Sequence, residues 1–327
     1  MLIASLPKGA LSPSDFVVRT AAVPEPDDGE VLCRTVAITI GAGQRAGLQG
    51  SASYAGAPEA GRVMGGSGIA TIVESRHPAL APGDLVRADT GWQEYSVHRG
   101  AKVSKVDPSI DPAHHLGALG INGLTAYFGL TDIGRPKAGD TVLVSAAAGS
   151  VGHVVGQMAK TLGARVVGIV GSDEKARLLV DELGFDVALN RLRDDFRDAF
   201  KAATPNRIDV YFDNTGGSIL ESALFRMNLH GRIVCCGAVS QYDTATPQGG
   251  PRGVPGLLVN NRVRMEGFLI FDYESQYDQG RAVLAEWIRT GQLKPRITEY
   301  DGLDSAPQAF VDLLAGVTVG TTIVRVN

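Results

Sequence analysis

The chain has 327 residues, of which 44% are hydrophobic and 20% are charged, and its formal net charge is −4. This length exceeds the size at which a single hydrophobic core stops growing, so the sequence predicts two domains. The near-average composition excludes a disordered chain. Because a nucleic-acid partner requires a concentrated basic surface and no run of Lys and Arg occurs, we expect no such partner.

The apolar stretches are short. No segment approaches the roughly 18 uninterrupted apolar residues of a transmembrane helix, and Pro7 interrupts the apolar start too early for a signal-peptide core. The three cysteines, Cys33, Cys235 and Cys236, are too few for a disulfide framework. The adjacent pair is interpreted as buried strand thiols, not as a redox pair. We therefore expect a cytoplasmic protein without a membrane partner.

The first 118 residues predict a mostly-β domain. Strands are expected at residues 31–40, 69–73 and 85–86, separated by turn signals rich in Gly, Pro and Asp. No long helical period occurs before about His114.

From Gly120 onward, strand patterns alternate with helical patterns, which predicts βαβ units and a parallel sheet. The expected strands are 141–145, 165–170, 186–189, 208–213, 232–236, 264–271 and 322–326. The expected helices are 151–162, 173–183, 194–203, 218–229, 277–290 and 307–314. Residues 243–256 contain seven Gly or Pro among fourteen, so we expect an irregular, mobile surface loop near the site.

A glycine-rich turn follows the strand at 141–145. The segment Ala147-Ala148-Gly149-Ser150-Val151-Gly152 is the G-x-G-x-x-G pattern with alanine in the first place. A pyrophosphate group needs a tight turn there and backbone N–H groups that no side chain obstructs. The pattern predicts that Gly149, Ser150, Val151 and Gly152 bind a dinucleotide on a Rossmann domain. The alternative is a glycine-rich turn that serves packing alone.

The residues that follow the strand at 165–170 distinguish an NAD site from an NADP site. An NAD site usually places Asp or Glu there to bind the ribose 2′-hydroxyl, whereas this chain has Gly171-Ser172. Ser172 and Lys175, with Arg191 downstream, suit a 2′-phosphate, so we expect NADP(H). The run 172–174 also has the composition of a helix start, with an N-cap followed by acidic residues, and both roles are compatible.

Segments spread over nearly the whole chain carry a family resemblance: residues 91–95, 123–130, 144–152, 171–175, 211–217, 236–242 and 267–273. They resemble the medium-chain dehydrogenase/reductase superfamily, in its zinc-free branch of prostaglandin reductases, alkenal double-bond reductases and curcumin reductases. The resemblance implies an α/β fold with a Rossmann doubly wound parallel sheet over residues 119–299. It also implies a mostly-β, GroES-like catalytic domain over residues 1–118 and 300–327, a cofactor between the domains, and a homodimer.

The resemblance also assigns roles to single residues. Gly149, Val151 and Gly152 would hold the pyrophosphate, and Lys175 the 2′-phosphate. Asn214, Cys236 and Gly237 would line the cofactor groove, Phe268 and Ile270 would lie beside the nicotinamide, and Tyr242 would face the ribose and the substrate carbonyl.

Three segments depart from the family pattern. The family's Asp-Pro-Tyr-Met-Arg reads Gly-Ala-Gly-Gln-Arg at 41–45, so Gly43 removes an aromatic wall and a hydroxyl from the expected pocket. The family's Asn-Tyr-Lys stretch reads Asn-Arg-Leu at 190–192, so Arg191 replaces the tyrosine. An asparagine that contacts the cofactor in the family is replaced by Thr318. These departures concern the substrate class more than the cofactor.

Zinc is not expected. Zinc-dependent relatives carry Gly-His-Glu where this chain has Val-Met-Gly at 63–65. A catalytic zinc needs three protein ligands and structural sites often use four cysteines, and the sequence provides neither set. His153 directly follows the glycine-rich turn, where a histidine in the first turn of a helix is more often structural.

Because no zinc ion is expected to act as a Lewis acid, a hydrogen-bond donor of the protein must stabilise the reacting substrate. Hydride delivery to the β-carbon of an enone or enal moves charge onto the carbonyl oxygen, which such a donor stabilises. Tyr242 is the best candidate because a phenol is protonated at neutral pH, and packing at a loop start is its alternative role. The sequence thus predicts an enzyme, an NADPH-dependent reductase of the carbon–carbon double bond of α,β-unsaturated ketones or aldehydes. A zinc-free NADPH quinone reductase and a non-catalytic NADPH-binding protein remain open.

Overall fold

The structure is a computed structural model and describes residues 1–50, 57–246 and 250–326. Its strands are β1 (Leu2–Ile3), β2 (Phe16–Val17), β3 (Glu30–Ile40), β4 (Gly68–Ser75), β5 (Leu85–Ala88), β6 (Tyr95–Arg99), β7 (Ser104–Lys105), β8 (Thr141–Val144), β9 (Arg165–Val170), β10 (Val187–Asn190), β11 (Ile208–Asp213), β12 (Met227–Cys235), β13 (Arg264–Gly267), β14 (Ile297–Asp301) and β15 (Thr321–Arg325). Its helices are α1 (Ala42–Gln49), α2 (Pro112–Leu116), α3 (Ile121–Phe128), α4 (Gly152–Thr161), α5 (Asp173–Asp181), α6 (Phe196–Ala203), α7 (Gly217–Leu224), α8 (Val254–Asn261), α9 (Tyr277–Arg289) and α10 (Ala306–Leu314).

The chain divides into two compact units. The first comprises Met1–Gly117, Asp243–Ala245 and Ile297–Asn327, and the second comprises Ala118–Tyr242 and Thr246–Arg296. Residues 243–245 and 297–299 thus cluster with the first unit, whereas the sequence-based division has them in the second domain.

The first unit is built on a mostly antiparallel sheet. Over the described residues its strand order is β14-β15-β3-β4-β5-β7, and β6 also pairs with β3. Strand β15, from the C-terminal part of the chain, runs antiparallel to β3 and places Val324 opposite Ile38. In the core, the ring of Trp92 stacks on Phe16 at a centroid distance of 5.0 Å and meets Phe310 edge-on at 5.9 Å.

The second unit is built on a parallel sheet. Its strand order in the described chain is β10-β9-β8-β11-β12-β13, and each neighbouring pair is parallel. This is the Rossmann order, in which the chain starts at the centre, moves outward, and then crosses to the other half. The predicted fold class is confirmed. The order reverses between β8 and β11, and ligands of such sheets bind at the carboxyl ends of the strands at this point.

Strand β8 shows why the sequence pattern succeeds here. Every residue of β8 is buried, as expected for a parallel strand that helices cover on both faces, and such a strand has a continuous apolar sequence. Helix α4 packs so closely against Phe185 that a Cβ at Gly156 would lie 1.8 Å from its ring.

Two expected elements end earlier than predicted. The helix expected at 218–229 ends at Leu224, because Met227 already pairs with Ile208 in the parallel sheet. The strand expected at 264–271 ends at Gly267 and is followed by a 3-10 helix, Ile270–Gln276. In both cases apolar residues continue past the end of the element, and their spacing alone gives no boundary.

Helix α1 has eight residues, among them two Gly and two Gln. It is compatible with the expectation that no long helical period occurs before about His114. The expectation of an irregular loop over residues 243–256 was wrong at its end. In the segment 243–256, Pro247, Gln248 and Gly249 lie outside the described residues, but α8 begins at Val254. Pro255 is tolerated in its first turn, where a helix needs no N–H.

Candidate functional site

The carboxyl ends of β8 and β11 are joined by hydrogen bonds at the point where the strand order reverses. The side-chain nitrogen of Asn214 donates to the main-chain oxygen of Ser145 at 2.8 Å, and the main-chain nitrogen of Asn214 donates to Oγ of Ser145 at 3.0 Å. Both residues are buried. Asn214, which the sequence predicts to line the cofactor groove, therefore lies at the crevice of the sheet.

Asp213, the last residue of β11, organises this crevice. Its Oδ1 accepts hydrogen bonds from the hydroxyls of Tyr211 (2.6 Å) and Ser145 (3.2 Å) and from the main-chain nitrogens of Thr215 (2.9 Å) and Gly216 (2.8 Å). The residue is 2% exposed, and these donors compensate its buried carboxylate. Asp213 is not among the site residues predicted from the sequence, although its position, a carboxylate at the end of an apolar strand, is a signal that could have identified it.

The loop between β8 and α4 leaves no space for a side chain at Gly152 and little space at Gly149. A Cβ at Gly152 would lie 2.4 Å from the main-chain oxygen of Ala146, and a Cβ at Gly149 would lie 3.1 Å from the same oxygen. Ser150 and Val151 are half-buried between them. Helix α4 begins at Gly152, and the N-terminus of a helix carries partial positive charge. The loop thus fits a pyrophosphate group.

The carboxyl end of β9 brings three predicted residues together. Oγ of Ser172 accepts a hydrogen bond from the main-chain nitrogen of Lys175 at 3.2 Å and caps α5. The side chain of Lys175 is half-buried, and burial lowers its pKa. The main-chain nitrogen of Arg191 donates to the oxygen of Val170 at 2.9 Å, so the exposed Arg191 lies at the same end of the sheet.

Asp173 is the acidic residue nearest to this strand end. Its Oδ1 accepts a hydrogen bond from the side-chain nitrogen of Asn190 at 3.1 Å, and its Oδ2 lies 3.6 Å from Nη1 of Arg193. The carboxylate therefore has partners on the β10 side of the loop, and Arg193 offsets part of its charge, although solvent screens this exposed pair.

Tyr242 folds back onto the end of β12. The main-chain nitrogens of Cys236 and Gly237 donate to the oxygen of Asp213 at 2.9 and 3.1 Å. After the 3-10 turn Val239–Gln241, Oη of Tyr242 accepts a hydrogen bond from the main-chain nitrogen of Ala238 at 3.4 Å.

Gly237 connects this turn to the crevice. A Cβ there would lie 3.3 Å from the oxygen of Asn214 and 3.9 Å from Oη of Tyr242. The structure therefore brings Asn214, Cys236, Gly237 and Tyr242 together at the carboxyl ends of β11 and β12.

The two adjacent thiols are not poised for redox chemistry. Cys235 and Cys236 are free and half-buried, and β12 ends at Cys235, so the prediction of two buried strand thiols was wrong in part. Desolvation raises their pKa to about 11 and about 12 respectively. Both are therefore protonated at neutral pH, whereas the thiolate is the reactive form.

The remaining predicted residues lie in two places. Phe268 directly follows Gly267, which pairs with Cys235 across β12 and β13, and Ile270 is buried two residues later. Both thus lie at the same edge of the sheet as Cys236. Thr318 belongs to the first unit and is buried in the turn before β15.

Over residues 1–50, 57–246 and 250–326, no group of three or more His, Cys, Asp or Glu side chains could hold a metal ion. No helix in this part of the chain has the length and apolar character needed to cross a membrane.

Comparisons with known proteins identify the family. Residues 1–106 match the family model for the N-terminal domain of oxidoreductase, and residues 150–286 match the model for zinc-binding dehydrogenase. The chain is 38% identical to the NADPH-dependent curcumin reductase of Escherichia coli, over 99% of this chain and 96% of that protein. It is 41% identical to the NADP(+)-dependent 2-alkenal reductase of Nicotiana tabacum, over 86% of this chain and 81% of that protein.

A solved structure has the same fold. The crystal structure of CurA from Vibrio vulnificus in complex with NADPH matches with a TM-score of 0.95 at 36% identity, covering 100% of this chain and 98% of that chain. The chain belongs to the medium-chain dehydrogenase/reductase superfamily, in the branch of prostaglandin reductases, alkenal reductases and curcumin reductases.

Proposed function

We propose that this chain is an NADPH-dependent reductase of the carbon–carbon double bond of α,β-unsaturated ketones or aldehydes. The names of the curcumin reductase and the 2-alkenal reductase give NADPH and NADP(+) as cofactors, and the CurA structure contains NADPH. A 2-alkenal is an α,β-unsaturated aldehyde, and this substrate class needs no metal if a hydrogen-bond donor meets the carbonyl oxygen.

The observation that carries the proposal is the hydroxyl of Tyr242 at the crevice of the parallel sheet. Its oxygen accepts the hydrogen bond from Ala238, so its own hydrogen is left to be donated. A phenol hydroxyl can donate one hydrogen bond while its oxygen accepts another. Such a donor suits an oxygen on which negative charge develops during reduction.

NADPH, when bound, supplies a hydride for the β-carbon of the substrate. The residues of the chain bind the cofactor, orient the substrate and stabilise the charge that develops on its carbonyl oxygen. Main-chain amides at Ser150, Val151 and Gly152 bind the pyrophosphate, and Ser172, Lys175 and Arg191 bind the 2′-phosphate. Tyr242 donates a hydrogen bond to the substrate carbonyl oxygen. Asn214, Cys236, Gly237 and Thr318 contact the cofactor, and Phe268 and Ile270 exclude water beside the reacting carbon.

We also infer a cytoplasmic homodimer. β13 is the last strand on its side of the parallel sheet over the described residues, and the exposed side chains of Leu269 and Phe271 follow it. An edge strand beside apolar side chains favours pairing with a second copy. Sedimentation equilibrium should give the mass of two chains, and a monomer at all concentrations would contradict the dimer. Three free cysteines suit a reducing compartment.

The test of the proposed function is a substrate panel. Nicotinamide absorbance is followed with NADPH and then NADH against enones, enals and quinones, and the products are identified by mass spectrometry. NADPH oxidation with formation of saturated carbonyl compounds supports the proposal. Turnover of quinones alone would instead show a quinone reductase, and NADPH binding without turnover would show a non-catalytic binding protein.

A further inference from the structure

His153, in the first turn of α4, is 1% exposed and contacts main-chain atoms on both sides of its ring. Nδ1 lies 2.8 Å from the main-chain oxygen of Gly149, and Nε2 lies 3.1 Å from the main-chain nitrogen of Arg296. A carbonyl oxygen can only accept a hydrogen bond and an amide N–H can only donate one, so Nδ1 carries the hydrogen and Nε2 has none. The ring is therefore the neutral Nδ1–H tautomer.

The oxygen of Gly149 accepts two hydrogen bonds from the same residue. The main-chain nitrogen of His153 donates to it at 3.1 Å, in addition to the bond from Nδ1. Both donors hold this carbonyl toward the helix. If the peptide turned over, the negative end of its dipole would face the phosphate-binding side of the loop and repel an anion.

A neighbouring residue, Gln157, docks the same distant segment, and its Nε2 also donates to the main-chain oxygen of His153 at 2.9 Å within the helix. Gln157 lies one turn further along α4. Its Oε1 accepts from the main-chain nitrogen of Lys294 at 2.8 Å, and its Nε2 donates to the oxygen of Lys294 at 3.2 Å. The segment 294–296 is thus fixed on α4 by two side chains, and His153 connects it to Gly149.

We propose that His153 is a positioning residue for NADPH binding, which holds the peptide of Gly149 in the orientation that the pyrophosphate requires. This inference rests on the proposed use of NADPH. The hydrogen bonds of His153 join residues of the chain to one another and need no cofactor, so they restrict the loop beforehand and less conformational freedom is lost when the phosphates bind. His153 acts through Gly149 and does not itself touch the cofactor.

The first test compares the dissociation constant for NADPH, by calorimetry on the full chain, in four variants. His153→Asn keeps a donor near the position of Nδ1 but does not reach Arg296, so its Kd should stay within about twofold of the wild type. His153→Gln and His153→Phe lose the bond from Nδ1 to Gly149, so their Kd should rise roughly three- to tenfold. Gln157→Met should lower the melting temperature and leave the Kd unchanged.

Two results would overturn the inference: wild-type affinity in folded His153→Phe, or equal losses in His153→Asn and His153→Phe. A wild-type chain that binds no NADPH would instead contradict the proposed function on which the inference rests.

A second test needs no variant to bind cofactor. Nitrogen-15 NMR of the histidine-labelled free protein should show the Nδ1–H tautomer for His153, assigned by its loss in His153→Phe. This signal should not titrate between about pH 8 and 5. An Nε2–H tautomer, or titration near the ordinary histidine value of about 6.5, would overturn the inference even if the variants fold poorly.

Discussion

The hydroxyl oxygen of Ser172 accepts a hydrogen bond from the main-chain nitrogen of Lys175 at 3.2 Å. This bond caps α5 and leaves the hydroxyl hydrogen of Ser172 to be donated. The same two residues are proposed to bind the 2′-phosphate. Helix capping and cofactor choice therefore depend on one short loop, and substitutions can separate them.

Ser172→Asp should change the cofactor preference while keeping the fold. Aspartate caps helices as well as serine does, so the free energy of unfolding should stay within about 0.5 kcal/mol of the wild type. Its carboxylate repels a 2′-phosphate but accepts a bond from a 2′-hydroxyl. Steady-state kinetics should show a higher KM for NADPH and a lower KM for NADH. An unchanged ratio of the two would show that Ser172 does not contact this part of the cofactor.

Lys175→Ala should weaken the binding of NADPH but not that of NADH. Loss of a charged hydrogen bond to a phosphate should raise the KM for NADPH roughly 10- to 100-fold and barely change that for NADH. Lys201→Ala on α6 removes an exposed positive charge and serves as the control. If the unmutated enzyme uses both cofactors equally well, the assignment of Ser172 and Lys175 is wrong.

The burial of His153 predicts a pH dependence of stability. Burial, together with the nearby charge of Arg296, lowers the pKa of His153 to about 4. The unfolded chain, with an ordinary pKa of about 6.5, binds more protons than the folded chain between these values. The free energy of unfolding should therefore fall as the pH is lowered from about 6.5 to 4, with a slope of up to about 1.4 kcal/mol per unit.

Urea unfolding at several pH values measures this dependence. His153→Phe should lose this component of the slope, whereas Gln157→Met should keep it. Parallel slopes for the wild type and His153→Phe would show that His153 titrates normally in the folded chain.

The sequence was sufficient to predict the parallel sheet and the glycine-rich turn between β8 and α4. Buried parallel strands such as β8 give continuous apolar runs, and a Cβ at Gly152 in the tight turn would clash with the main chain. Both are local constraints, so they are visible in a single sequence.

Contacts between distant segments could not be predicted. Asp213 binds Ser145, 68 residues away, and His153 binds Arg296, 143 residues away. The hydrogen bond of Tyr242 depends on the 3-10 turn that precedes it, and short 3-10 turns have no periodic signal. Helix α1 escaped prediction for the related reason that it is short and rich in glycine.

Gly43→Tyr tests the expected pocket. Gly43 is exposed in the first turn of α1, so a tyrosine can enter the helix without loss of propensity. A restored ring should lower kcat/KM for bulky or branched enones and leave small enones unchanged. Gly43→Ala, which adds helix propensity without a ring, is the matched control. Equal losses for large and small substrates would show that position 43 does not line the pocket.

The most direct test of the account is the comparison of kcat and NADPH Kd in Tyr242→Phe. Tyr300→Phe, which removes the hydroxyl that donates to Asp312 at 2.7 Å, controls for the loss of a hydrogen-bonded tyrosine hydroxyl. If Tyr242 stabilises charge on the substrate oxygen, kcat for an enone should fall by ~10²–10³ while the Kd for NADPH stays unchanged. A kcat within about twofold of the wild type would contradict the account and leave Tyr242 a packing residue.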